Sequence, residues 1–242
     1  MRTKVASIFL LLLSVTGCTP LSLNGQPVFS PKFFSVKKIV ILPPRIEVSE
    51  IGAGGVIEKI DDWSQTGAAN ITAAVAAELK TRRGIEVRNL PLVSLPDNLK
   101  AELEETQSLF DAVNGSVLLH IYGPPPYRFD EKLVQFNYSL GNETAKLRVD
   151  DSDAFLLIKG FDQISSAGRM ALQTTAMLAA AALGVVIIPQ MGATLMNAAL
   201  VDARTGDILW YNFDRADGAY DLRDPVSATS FVRKLLAKFP SP

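Results

Sequence analysis

The sequence predicts an α/β protein: a mixed sheet with helices on its faces, ending in a β-hairpin followed by a helix. Three observations predict it. Lys37 to Pro44 (KKIVILPP) is a continuous apolar run halted by two prolines, the pattern of a strand buried on both faces. Two strand–helix–strand patterns follow one another, which calls for a mixed sheet flanked by helices. The stretch ALVDARTGDILWYN at 199–212 alternates apolar and polar residues, turns, and alternates again, as a hairpin does.

In chain order, MRTKVASIFLLLLSVTGC opens with two basic residues and an apolar core from Val5 to Leu13, the build of a secretory signal. Its end, Val15-Thr16-Gly17-Cys18, resembles the lipobox of bacterial lipoproteins, in which small residues lead into a cysteine that is acylated and becomes the new N-terminus. Cys18 is the chain's one cysteine, so it has no internal disulfide partner. The alternative is an ordinary cleaved signal with a chance cysteine. Thr19 stands where the inner-membrane retention signal has Asp, so the resemblance implies an outer-membrane lipoprotein facing the periplasm. Residues 1–17 are then a signal peptide, 18–35 a lipidated tether rich in Pro and Ser, and 36–242 a single periplasmic domain.

Within that domain a strand over 37–42 gives way to a glycine-rich loop, IGAGGVIEK, and a helix from about Ser64 to Arg83. Ile71, Val75 and Leu79 share a face of this helix, and Arg82-Arg83-Gly84 suits its end. Residues 85–90 read as a short strand, and Asp97 as the cap of a further helix. Leu99, Leu103, Phe110, Val113, Val117 and Ile121 run along one face, while Asn114-Gly115-Ser116 leaves 114–122 open between helix and strand. In 127–152, VQFNYSL alternates and NETAKLRVDD suits a short helix. DAFLLIKGF (153–161) is a strand, and a long helix from about Ser166 to Ile188 follows. No charge occurs between Arg169 and Asp202, but the strongly apolar part, Ala176 to Ile188, is only 13 residues long. A membrane span needs about 20, so a helix packed on the domain is expected, with an oligomer or bilayer contact as the alternative. Asp224-Pro225 caps and starts the closing helix.

Loss of Arg2 and Lys4 with the signal leaves 22 basic residues against 25 acidic, a formal charge of −3. That balance offers no basic face for nucleic acid. An apolar fraction of 48% suits a globular domain with a real core. The four Asn-x-Ser/Thr sites, at Asn70, Asn114, Asn137 and Asn142, carry no glycosylation message in a bacterial chain.

Candidate chemistry is sparse. Gly52-Ala53-Gly54-Gly55 follows a strand but lacks the Lys-Ser/Thr of a phosphate loop, so a flexible loop is expected. Asp150, Asp151 and Asp153 have neither the glycine nor the closing glutamate of a calcium loop, and read as an acidic cluster at a helix end. His120 has no second histidine and no nucleophile partner. Glu58, Asp61 and Asp62 beside Trp63 imitate a sugar site, but helix-start electrostatics account for them. No catalytic set, metal site or cofactor site emerges, and the expectation is a protein that is not an enzyme. In the hairpin, Asp202 is expected to form an Asx turn, Gly206 to take positive φ, and Trp210 to lie in a half-buried pair of strands; all three are assigned to architecture.

The lipobox, the ILPP strand, DAFLLIKG and LVDARTGDILW together resemble the superfamily of lipoproteins with a TolB N-terminal-like fold, which includes the curli-secretion channel lipoproteins. The match covers about 37–90 and 153–213. The chain lacks the two long alternating hairpins that would build a transmembrane barrel. The resemblance therefore implies envelope scaffolding or assembly without catalysis, anchored in the membrane by lipid and bound to another envelope protein. It leaves room for a homo-oligomer, and for a membrane-inserting oligomer that uses 170–188 in secretion or transport.

Overall fold

A computed structural model describes residues 28–240 apart from Arg83, Asp150 and Gln190. The signal, Cys18 and the first part of the expected tether lie outside the described residues. The architecture is the mixed α/β sheet that the sequence predicts.

Its axis is β6 (Ala154–Ser165), a 12-residue strand. On one side β6 pairs antiparallel along nearly its whole length with β7 (Gly192–Asp202), and β8 (Ile208–Ala216) pairs antiparallel beyond that. On its other side β6 takes two parallel partners in succession. β2 (Lys38–Ile41) covers its first half and β3 (Arg45–Ile51) its second. The expectation here was one strand and then a loop. Pro43 and Pro44 do interrupt the ladder, because proline has no N–H to give it, but the chain resumes the same edge at Arg45.

The glycine stretch is a hairpin turn, not a flexible loop. It joins β3 to β4 (Ile57–Lys59), with Gly55 N–H on the Gly52 carbonyl (2.9 Å) and Gly52 N–H on that of Val56 (2.8 Å). β5 (Glu86–Asn89) lies outside β2, parallel to it. β1 (Val28–Phe29) pairs with Tyr211 and Trp210 on the outer edge of β8. Behind it Phe33 is fully buried. This corrects part of the tether: residues 28–35 belong to the sheet and core.

Both faces of the sheet are covered. On one face α1 (Asp61–Lys80) and α5 (Pro225–Leu236) bury Ile71, Val75, Leu79, Phe231 and Leu235 against Ile39, Ile41, Leu200 and Trp210. On the other α2 (Asp97–Tyr122) buries Leu103, Phe110 and Val117 against Val40, Phe155, Leu157, Val201 and Tyr211. The expectation of a half-buried hairpin fails for this reason: residues 196–201 and 208–214 are buried on both sides.

α1 starts at Asp61, three residues before Ser64, which places Asp61 and Asp62 in its positive first turn. Ser64 Oγ instead accepts from Val48 N–H (2.9 Å) and ties the helix to β3. Arg82 donates to the terminal carbonyls of α5, at Leu236 (2.8 Å) and Phe239 (2.6 Å), so its cation serves the neighbouring helix end. Arg83 lies outside the described residues. Asp97 is the first residue inside α2, after Pro96, rather than its cap. α2 runs unbroken through Asn114-Gly115-Ser116 to Tyr122, so 114–122 is helix. A short helix, α3 (Asp130–Val134), comes next. In the ambiguous segment, Ser139 bridges to Asp207 and 142–147 form a single 3-10 stretch. Asp224 caps α5 through Val226 and Ser227 N–H (3.4 and 2.9 Å), with Pro225 in its first turn.

The apolar helix departs most from expectation. α4 is Ala167–Ala182, ends six residues before Ile188, and has no buried residue. Arg169, Gln173, Met177 and Ala180, on one face, are half-buried and the rest of the helix is exposed, so it does not enter the core. Its end is a Schellman motif: Val185 N–H reaches the Ala180 carbonyl (2.9 Å), Gly184 N–H that of Ala181 (3.0 Å), and Gly184 has φ +74°. Among the described residues no helix is long and apolar enough to cross a membrane.

Asp162, buried between β6 and the loop before α5, accepts from Thr194 Oγ1 (2.7 Å) and Leu222 N–H (2.8 Å). Burial outweighs these bonds and raises its carboxyl above the ordinary carboxylate value.

Candidate functional site

A large concavity follows from the break between β2 and β3. Where the chain resumes after Pro44, the start of β3 has no strand outside it among the described residues, because β4 pairs only with 49–51. An open groove of about 810 Å³ wraps this edge. Glu47, Phe161 and Leu195 line it from the sheet, Gln65 and Ala68 from α1, and Asn114 and Leu118 from α2. Its volume lies within the usual range of binding clefts.

The backbone contributes as well as the side chains. Val48 turns its N–H to Ser64 Oγ (2.9 Å) and its carbonyl to Ile60 N–H (3.0 Å). By the two-residue alternation of a parallel strand, Ile46 presents its own N–H and carbonyl to the groove.

The cations that line the groove are paired with carboxylates, while Glu47 is met by the Ser49 hydroxyl (3.5 Å). Arg45 donates to Gln107 Oε1 (3.0 Å), Asp111 Oδ2 (3.0 Å) and Glu104 Oε2 (2.6 Å). Lys159 reaches the other oxygen of Asp111 (2.9 Å), and Lys59 pairs with Asp61 (3.0 Å). At the floor, the buried Tyr211 hydroxyl donates to Asn114 Oδ1 (2.6 Å) and lies 3.1 Å from Asn197 Oδ1. Burial pushes this phenol well above its ordinary pKa, so it stays neutral and acts as a fixed donor. The groove thus offers main-chain groups, paired charges and a fixed hydroxyl donor.

Sequence reasoning missed this groove. A signal was available in Glu104, Gln107 and Asp111, spaced three and four apart on one helix face beside an apolar stripe. What they face is Arg45, a partner far away in sequence.

Of the residues singled out from sequence, Asp61 and Asn114 line the groove and the others lie elsewhere. Cys18 and Asp150 are outside the described residues. Asp202 Oδ1 accepts from Arg204 and Thr205 N–H (2.8 and 3.0 Å), and Gly206 has φ +73°. Leu140 N–H donates to the Gly206 carbonyl (2.8 Å), so 138–141 lies along the turn. Asp207 is held by Lys32 (2.8 Å), whose ammonium lowers the carboxyl's pKa. Trp210 is fully buried against Phe239, ring centroids 4.8 Å apart.

His120 donates from Nδ1 to the Tyr127 carbonyl (2.9 Å) and stacks on Phe129 (4.3 Å), which fixes the turn after α2. Glu58 lies on β4 opposite Glu50, while Asp61 and Asp62 open α1, so the three do not share one loop. Trp63 is covered by the Arg223 guanidinium at 4.0 Å, itself held by Asp221. Asp153 accepts from Lys37 and Lys38 N–H (both 3.0 Å), which ties β2 to the start of β6 instead of joining a helix-end cluster. Asp151 sits at φ +52° beside Arg148 (3.2 Å).

No protein-family model matches the chain, and comparison with curated proteins finds no match. Among solved structures it is similar to the PelC dodecamer from Paraburkholderia phytofirmans, with 10% identity and a TM-score of 0.35 over 90% of this chain and 96% of that one. It is also similar to lipoprotein GNA1162 from Neisseria meningitidis, with 14% identity and a TM-score of 0.29 over 74% and 79%.

Proposed function

We propose that this chain is a non-catalytic lipoprotein, anchored in the outer membrane through acylated Cys18 and facing the periplasm. There it serves as a scaffold or assembly component that grips an extended segment of another envelope protein in the β3 groove. One observation carries the binding role: among the described residues, a stretch of strand edge without a partner strand lies beside a groove whose cations are already paired. An extended peptide adds to such an edge through main-chain hydrogen bonds and seats alternate side chains in the groove. The lipobox sequence Val15-Thr16-Gly17-Cys18 supports the anchor.

Two measurements test the two parts separately. Intact mass of the protein from membranes should show loss of residues 1–17 and added acyl mass on Cys18. A mature chain that starts elsewhere with a free thiol at Cys18 would overturn the anchor. For the groove, a photo-crosslinking amino acid at Gln65, on the rim, should give one adduct of defined mass in the intact envelope. The same group at Glu105, exposed on α2, should give none. Absence of an adduct at Gln65, Ala68 and Leu118 alike would remove the groove from the interaction.

A further inference from the structure

The excursion between β6 and β7, residues 167–191, turns its apolar side chains outward. Leu183, Val186 and Ile188 are 82%, 88% and 84% exposed, and along α4 none of the described side chains is buried. Apolar exposure is not limited to one stripe, as a helix docking on a protein would have it; it continues through the irregular arm after Gly184. The two α4 threonines carry no unmet donor: Thr174 and Thr175 hydroxyls donate to the Met170 and Ala171 carbonyls one turn back (2.8 and 2.9 Å). The β3–β4 turn adds Val56 and Ile57, 73% and 52% exposed, at the same end of the sheet. Gly168 and Ala53 approach each other there.

The direction of the N-terminal chain identifies what covers this end. β1 runs antiparallel to β8, so the residues before Val28 come from the end where β8 finishes and α4 springs out. From Tyr211, opposite Val28, to Ala216 the sheet rises about 17 Å. Residues 18–27 span at most about 33–36 Å, which leaves at most about 16–19 Å beyond the sheet, against a length of about 24 Å for α4. A lipid on Cys18 is therefore within tether reach of the end of the sheet that carries the excursion.

We propose that residues 167–191, with Val56 and Ile57, form a second membrane contact that lies in the interface of the leaflet holding the Cys18 acyl chains. The contact is shallow. The arm after Gly184 is neither helix nor strand, and its backbone needs water or headgroups, which fixes the depth at about 5–10 Å. Arg169 stands at the foot of the helix, the one charge between Asp162 and Asp202, placed for the headgroup layer. With the acyl anchor it would fix the domain's orientation and turn the β3 groove sideways to the membrane. This inference rests on the lipid-anchored reading for where the tether starts.

The test uses the full mature chain with Cys18→Ser, purified without detergent, and vesicles of phosphatidylethanolamine and phosphatidylglycerol. The unlipidated protein should sediment with vesicles, and Val186→Asp with Ile188→Asp should lower the bound fraction about tenfold or more. Both positions are exposed, so the circular dichroism spectrum and thermal melt should stay unchanged. In the Cys18→Ser background Val186→Cys supplies the sole thiol. An environment-sensitive dye there should shift to the blue on vesicles and be quenched by brominated acyl chains. Absence of vesicle binding overturns the proposal. So does a stable lipid-free oligomer that the two aspartates dissolve, since a second copy then covers the excursion. Failure of lipidation at Cys18 appears only in the intact mass and leaves the vesicle result untouched.

Discussion

Trp210→Ala is expected to lower stability by about 3–5 kcal/mol, enough to unfold much of a marginally stable domain. The indole is fully buried and sits edge-on to Phe239, whose ring also packs on Phe33 and under Arg82. It thus joins four separate parts of the chain: β8, the N-terminal segment, the end of α1 and the tail after α5. Removing it leaves a cavity that a two-face-covered sheet cannot collapse to fill. Trp210→Phe should cost clearly less. It keeps a ring against Phe239, and among the described residues the indole Nε1 is buried without a hydrogen-bond partner, so phenylalanine also removes an unmet donor. Thermal or urea melts decide the matter. Trp210→Ala melting like wild type would show that the indole does not hold these parts together.

Gly206→Val is the second large effect, expected at about 2–6 kcal/mol. Part is backbone strain, about 1–3 kcal/mol for a β-branched residue at positive φ. Part is a steric conflict that the sequence alone does not reveal. A Cβ at Gly206 would fall 2.0 Å from the Gly141 carbonyl oxygen, backbone that cannot swing aside as a flexible side chain would. Displacing 140–141 costs about 1–3 kcal/mol more, as other overpacking does, and breaks the Leu140–Gly206 hydrogen bond. Gly206→Asn separates the two causes, since asparagine tolerates positive φ but still carries a Cβ. If Gly206→Asn is as damaging as Gly206→Val, the contact with Gly141 dominates. A wild-type melt for Gly206→Val, with loss of envelope function, would make this turn a working surface.

The sequence made the sheet's centre legible because local signals and burial agree there. The β2 apolar run, the β6 run and the DARTG turn each state their own structure within a dozen residues. The second parallel partner of β6 was not legible. Two prolines end a ladder, and only the pairing with residues 159–165 shows that the chain returns to the same strand. The end of α4 was legible but passed over. Gly184 carries the C-cap signal, yet the apolar run continues past it to Ile188, and hydrophobicity was followed where backbone conformation decides. Full burial of the hairpin could not be read from alternation either. Ala199, Val201 and Tyr211 are ordinary outward residues until α2, distant in sequence, covers them. The β3 groove is least legible, since it is made of an interruption and of residues brought together from six elements.

The β1–β8 pair has a kinetic consequence. Val28 and Tyr211 are more than 180 residues apart in sequence, yet they form the closing edge of one sheet. Contacts of such separation form late, after the loop between them has been closed, and they slow folding. A chain that crosses a membrane N-terminus first presents Val28 long before Ile208 emerges, so the first residues to arrive wait for some of the last. Until then the outer edge of β8 has no strand to pair with, and the core lacks Phe33. The interval before closure is therefore when the sheet is incomplete. It is also when its unpaired strand edge is open to a neighbour's.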